Sequence, residues 1–347
     1  MFRKPCEVGN FSLDIDRIFN DGKDMMKYYH KPDKPGNVCF DLKLGYKSMV
    51  RKDESKDELL NDILRWIMRN RKCFQTAEDQ ATITDSKPSR NLHTDFVCWR
   101  GLLTKLLCTP YENRDGWMIA VTLHKGTYYM NENETEKKKS DKAAMTERQD
   151  QMAYWGWKFE QYVSTSEPNG IPDPDSPVNN CEAYCTVIRS RLEKHSIVYS
   201  GEVDAVDLDC SLENKYVEFK TSREIDTPRQ DQNFKRFKLI KWWAQSYLVG
   251  IPLIVCGFRD DDGIVHRLQN FETAKIPDIV KDLRDPWEPN VCFNFLNQFL
   301  EFVKRTVTTD NHKVVYLFEW EPSGDIGCRR LEEGSSYCFL PDWYVND

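Results

Sequence analysis

The sequence predicts an α+β fold: a single domain of mixed and antiparallel β-sheets flanked by helices. Three observations predict it. Apolar stretches closed by turn residues recur along the chain, as in 117–130 (WMIAVTLHKGTYYM) and 252–276 (PLIVCGFRDDDGIVHRLQNFETAKI), and read as hairpins. Stretches at helical spacing lie between them. No internal repeat and no composition shift marks a linker, so the 347 residues read as one domain over 1–347, with the amino-terminal part to about 95 packing on a core formed by 96–347.

Taken in order, Phe11, Leu13, Ile15, Ile18 and Phe19 predict an extended piece turning into helix, with Arg17 among them. The stretch 55–72 (SKDELLNDILRWIMRNRK) predicts an amphipathic helix. Ser55 is its N-cap, Glu58 sits in its first turn, and basic residues close it. Residues 74–94 are polar and read as a loop. The segment 95–112 predicts a strand, a turn, then a short helix or strand; Arg100 stands between Trp99 and Gly101, and the glycine would let a ligand backbone come close. The charged stretch 131–150 is expected to be a mobile loop. After it, 145–165 (MTERQDQMAYWGWKFEQYVST) predicts a helix packed through Met152, Trp155, Phe159, Tyr162 and Val163. Gly156 in its interior, about 1 kcal/mol worse than Ala, predicts close packing there, and Glu160 lies one turn on along the same face.

Residues 165–180 read as loop and 181–192 as a strand with a buried, structural Cys185. The stretch 228–252 predicts a basic helix ending at Gly250–Pro252. Phe237, Ile240, Trp243, Ala244 and Tyr247 form its core face, and Lys238, Lys241, Trp242 and Gln245 the other. A helix over 291–307 and strands over 313–320 and 337–345 complete the chain.

Composition narrows the function. The chain is 40% apolar and 12% aromatic with net charge −7, which argues against a generic charge-driven nucleic-acid binder but not against a nuclease whose acids hold metal. The twelve cysteines include no C-x-x-C pair and the six histidines are dispersed, so zinc, thioredoxin and histidine-metal readings lack support. No Walker A loop or G-x-G-x-x-G occurs. No apolar run approaches a membrane span. Reduced thiols suit an intracellular protein, nuclear or cytoplasmic.

The informative stretch is 198–224, VYSGEVDAVDLDCSLENKYVEFKTSRE. Residues two apart in a strand share a face, so Glu202 and Asp204 pair off, as do Glu218 and Lys220. If the two strands form a hairpin, three carboxylates and an ammonium converge. Such crowding is costly without compensation, and hard divalent cations, Mg²⁺ or Mn²⁺, compensate it. The E-x-D…E-x-K pattern is what a restriction-type, PD-(D/E)XK-like nuclease needs: two metals roughly 3.5–4 Å apart serve the attacking water and the leaving oxygen, with the lysine beside them. A charged, solvent-facing hairpin fits the spacing equally. Asp204→Ala or Glu218→Ala is expected to stop turnover and spare the fold.

The segments FVCWRGLLTKLLCTPYE, YWGWKFEQY, YSGEVD, YVEFKTSRE and KLIKWWAQSYLVGIP, in this order and spacing, resemble the DXO family of decapping exoribonucleases and its fungal relatives. The resemblance runs from about Val8 to the terminal FLPDWYV. It implies that Glu160, Glu202, Asp204 and Glu218 bind two divalent ions together with the Phe219 main-chain carbonyl. It implies that Lys220 and Gln245 flank the attacking water or scissile phosphate, and that Trp99, Arg100 and Gly101 contact the RNA or cap. Arg17, Glu58 and Cys185 align with substrate contacts. The implied activity is hydrolysis at RNA 5′ ends: removal of incomplete, unmethylated or NAD-type caps and of 5′-pyrophosphate, then 5′-to-3′ degradation. The implied partner is the RNA 5′ end, with no membrane; the chain acts as a monomer or beside a 5′-to-3′ exonuclease. Two alternatives remain: a non-catalytic protein that activates such an exonuclease, and a restriction-type DNA endonuclease sharing only the metal core.

Overall fold

A computed structural model of the protein describes residues 1–75 and 91–347; most of the predicted 74–94 loop lies outside the described residues. The described residues form two mixed sheets. The nine-stranded sheet runs, edge to edge, Gly327–Arg330, Tyr316–Trp320, Trp117–His124, Thr127–Asn133, Phe96–Trp99, His195–Glu202, Ala183–Leu192, Cys6–Leu13 and Phe19–Asp21. The seven-stranded sheet runs Phe40–Asp41, Ile264–Glu272, Leu253–Arg259, Tyr216–Arg223, Ala205–Val206, Tyr28–Tyr29 and Ser164–Thr165. The amino-terminal strands thus belong to both sheets. The helices Arg100–Cys108, Leu239–Val249 and Pro289–Thr306 bury their apolar faces in a core to which both sheets contribute, from Phe96 and Ile119 on one to Ile254 and Phe258 on the other. No helix among the described residues is long and apolar enough to cross a membrane.

Several local expectations change. Residues 6–21 form a hairpin rather than strand-then-helix: Leu13 pairs with Phe19 and Phe11 with Asp21, and Arg17, at φ 60°, turns the chain too sharply for a helix to start. The first helix spans only Asn61–Arg69 and its N-cap, Leu60, makes no side-chain cap bond. Ser55 instead bonds Asp53 in a preceding turn. The charged stretch 131–150 is not one loop: Glu136–Ala143 is helical, capped by Thr135, and Glu147–Val163 follows behind a Thr146–Gln149 capping box. Residues 342–345 form a helical turn rather than a strand.

Two corrections matter for the site. Gly156 does not mark a close contact; a Cβ there would meet nothing within 4 Å. The close approaches run the other way. Trp155 and Phe159 project from the helix onto glycines of the neighbouring segment, where a Cβ on Gly263 would lie 2.7 Å from Trp155 and one on Gly257 2.6 Å from Phe159. Met152 is exposed. In 228–249 the helix contains a π-turn at Phe234–Lys238, which shifts the phase of one face against the other. Phe234 enters the core in place of Phe237, and Trp242, expected outside, packs on Phe234 and Phe271.

Candidate active site

The strands over 198–224 do not pair along their length. His195–Glu202 belongs to the nine-stranded sheet, where Glu202 lies opposite Cys185. Past Glu202 the chain crosses to the other sheet, and only Ala205–Val206 pairs with Tyr216–Arg223, at Val217 and Tyr216. Val203 at the crossing is buried (3% exposed), which sends Glu202 and Asp204 to the opposite side. Because pairing stops at Val217, the edge of the next strand is open at Phe219. There the Phe219 N–H donates to Asp204 Oδ2 at 2.6 Å, and the Phe219 carbonyl lies along the same edge.

Side chains reach this edge from both faces of the strand. On one face Phe219 packs against Phe159 and Tyr29, docking the helix that carries Glu160. On the other, Glu218 is 1% exposed and its Oε1 accepts from Lys220 Nζ and Gln245 Nε2, each at 2.5 Å. Glu218 Oε2 has no hydrogen-bond partner, nor has Arg100 Nη1, which lies 3.7 Å from it. Arg100 starts its helix directly after strand Phe96–Trp99. Its side chain passes over Gly201, where a Cβ would stand 3.0 Å from the arginine; that glycine keeps the path to Glu218 clear.

Glu160, Glu202, Asp204 and Arg17 line one open cleft of about 410 Å³, together with Lys27, Lys52, Trp157, Asn179 and Asn180. The crowding shows in the acidities. Burial, then the Glu202 charge, pushes Glu160 up to about 7. Burial, then Glu218 and Glu160, raises Asp204 well above the carboxylate range. Loss of solvent around the carboxylate raises Glu202 too, although the residue keeps an exposed surface, against the pull of Arg100 and Arg17. For Lys220 burial works the other way, but Glu218 and Asp204 outweigh it, so its pKa is raised and the ammonium stays charged.

The remaining predicted residues lie around this centre. Arg17 donates to both Glu58 oxygens at 2.7 Å and to the Cys181 carbonyl, and Lys52 adds a further bond to Glu58. These cations outweigh burial and keep Glu58 ionised, in the wall of an adjoining pocket of about 390 Å³ that shares Arg17 and Lys52 with the cleft, rather than in a helix turn. Trp99, bonded through Nε1 to the Leu59 carbonyl, and Gly101 line a separate cavity of about 290 Å³. Cys185 is buried beneath Glu202, and burial, then Glu202, raises its thiol pKa far above normal; it has no character of a reactive thiolate. Lys27, Lys52 and the Asn179–Asn180 pair were missed. Each lies at least 19 residues along the chain from the nearest of Glu160, Glu202, Asp204 and Glu218 and carries no spacing signal. A main-chain bond from Val206 N–H to the Lys27 carbonyl brings Lys27 in.

The donor set suits a hard cation: carboxylates, a main-chain carbonyl, and a buried carboxylate oxygen without a partner. Among the described residues no three His, Cys, Asp or Glu side chains form a ready-made metal cage. Asp204 and Glu218 are held on protein donors, so the predicted convergence is electrostatic proximity rather than ligating geometry.

Comparison with known proteins identifies the family. The RAI1-like PD-(D/E)XK nuclease model matches residues 3–345. The chain belongs to that family. Membership makes the protein a nuclease, a hydrolase of phosphodiester bonds. The Decapping and exoribonuclease protein of Xenopus laevis is 40% identical over 99% of this chain and 86% of its own length. The Decapping nuclease RAI1 of Neurospora crassa is 34% identical over 100% and 83%. Candida albicans Rai1, solved in complex with pU5-Mn2+, superposes with TM-score 0.81 at 22% identity over 99% of this chain and 95% of that one; at that identity the likeness concerns the fold.

Proposed function

We propose that the protein is a metal-dependent hydrolase of RNA 5′ ends, removing incomplete, unmethylated or NAD-type caps and 5′-pyrophosphate and degrading the exposed RNA 5′ to 3′. The observation that carries the proposal is the single cleft in which Glu160, Glu202 and Asp204 crowd beside a buried Glu218 that fixes Lys220 and Gln245. The names of the relatives and the pU5-Mn2+ complex of the Candida protein support the same reading.

Glu160, Glu202, Asp204, Glu218 and the Phe219 carbonyl would hold two divalent ions, Mg²⁺ or Mn²⁺. When bound, such ions supply a water nucleophile at neutral pH and charge stabilisation at the leaving oxygen. The protein's own part is positioning. Glu218 holds the Lys220 ammonium and the Gln245 amide side by side, so both donors meet a phosphate in a fixed orientation. Lys220 stays protonated and offsets the negative charge that grows on the phosphorus oxygens. The unpartnered Arg100 Nη1 can take a further phosphate oxygen. Caps, 5′-pyrophosphate and internucleotide bonds all yield to in-line attack of water on phosphorus, so one site serves them all; the products differ by where the 5′ end is stopped in the cleft.

The test is incubation of purified protein with GpppA-capped, NAD-capped and 5′-monophosphate RNA, with Mn²⁺ or with EDTA. Metal-dependent product from at least one substrate is expected. Absence of product from all three would refute the proposal, and internal cleavage of duplex DNA would favour the endonuclease reading.

A further inference from the structure

Helix Glu136–Ala143 buries none of its residues. It carries four lysines against two acids, EKKKSDKA, in a chain of net charge −7. A helix that buries no residue is held by its termini and its ion pairs, and here one pair lies at the carboxylate cleft and another at the cavity beside Trp99. Lys142 meets Glu54 at 2.7 Å, Lys138 meets Glu132 at 3.6 Å, and Lys137 meets Asp115 at 2.7 Å. Lys142 lines the carboxylate cleft, with Glu54 and Lys56. Lys138, one turn earlier and so on the same face, lines the neighbouring cavity with Trp99 and Gly101. No core residue fixes the position of the helix, yet its lysines mark both cavities.

We infer that this helix is a basic strap whose Lys138 and Lys142 hold the RNA backbone 3′ of the reacting phosphate, joining the two cavities into one path for a single strand. The inference rests on the RNA reading above. Exposed ion pairs contribute only about 0–1 kcal/mol, so phosphates displace Glu54 and Glu132 from these lysines at little cost. Gly101, with open space where a Cβ would stand, leaves room for a backbone to pass between Trp99 and the strap. The freed Glu132 keeps its bond to Lys105 at 2.6 Å, so displacement strands no charge.

The experiment compares wild type, the double variant Lys138→Gln/Lys142→Gln, and Lys138→Arg/Lys142→Arg. Turnover of a 5′-monophosphate 20-mer and of a 5′-monophosphate dinucleotide is measured with Mn²⁺ across a salt series. Binding of the labelled 20-mer is measured in EDTA by anisotropy. The Gln variant should lose about tenfold in its preference for the 20-mer over the dinucleotide, through KM rather than kcat. Its slope of log Kd against log salt should flatten by about 1.4, two phosphates at ~0.7 each. The Arg variant should keep both properties. Equal losses on both substrates would mean a structural role and overturn the strap, as would an unchanged salt slope. The binding arm reads the strap whether or not the protein turns over RNA, so failure of the hydrolase reading is seen separately, in the wild-type turnover.

Discussion

Burying Glu218 beside Lys220 and Arg100 gives opposite signs to two truncations that look equivalent in the sequence. Glu218→Ala leaves the Arg100 guanidinium, largely buried, without its counter-charge and removes the nearer of the two carboxylates beside the half-buried Lys220 ammonium, and should lower stability by roughly 3 kcal/mol as well as abolishing turnover. Asp204→Ala removes a crowded carboxylate whose single bond is to a main-chain N–H, so metal-free protein should unfold at an equal or higher temperature while turnover falls at least about 100-fold. Denaturation in EDTA separates the two, and the structure replaces the expectation that both changes spare the fold with one in which only Asp204→Ala does. The same crowding sets a pH dependence. Glu160 titrates at about 7 in the folded protein against an ordinary 4.5. Its contribution to stability is therefore complete below about 4.5 and lost as pH rises through 7. Thermal midpoints of metal-free protein should fall between pH 5 and 8, and Glu160→Gln should flatten that fall. An identical slope in the variant would show that Glu160 is not the group responsible.

At the scale of the element, the helix Glu147–Val163, which carries Glu160, is seated by glycines that are not its own. Gly257→Ala drives a methyl into Phe159; the overpacking should cost about 1–3 kcal/mol, tilt Glu160 away and reduce kcat roughly 10- to 100-fold. Gly156→Ala meets open space and should add up to about 1 kcal/mol through helix propensity. Urea denaturation of the two variants decides between them. The sequence made the helix itself legible, because Trp155, Phe159 and Val163 repeat at helical spacing. It pointed to the wrong glycine because a Cβ clash depends on which segment lies opposite, and Gly257 and Gly263 are about 100 residues away. The strap Glu136–Ala143 was read as loop for a related reason: with no apolar periodicity, only the Thr135 cap and its own ion pairs mark it as helix.

At the scale of the molecule, the site stands where one strand leaves the nine-stranded sheet and joins the seven-stranded one. A cation bound there ties the two sheets together, and its binding free energy adds to the stability of the whole. Mn²⁺ at 100 times its Kd should raise stability by about 2.7 kcal/mol. The gain should be smaller at pH 6 than at pH 8, because protons compete for Glu160, and absent in Asp204→Ala. Calorimetric scans with and without Mn²⁺ measure it; an equal gain in the variant would put the cation elsewhere.

By itself the sequence determined the α+β class, the hairpins read over 117–130 and 252–276, the main helices and the acid-rich stretch with its lysine. Those signals are local: periodicity, turn residues, and a motif whose members lie within 20 residues of one another. Only the tertiary structure decided that Glu202 and Glu218 belong to different sheets, that Gln245 and Arg100 close on Glu218, and that Lys27 and Lys52 wall the cleft. Each of these depends on which strand edge is left open and which distant segment fills it, and a side chain's neighbours across such a gap leave no period in the chain to read.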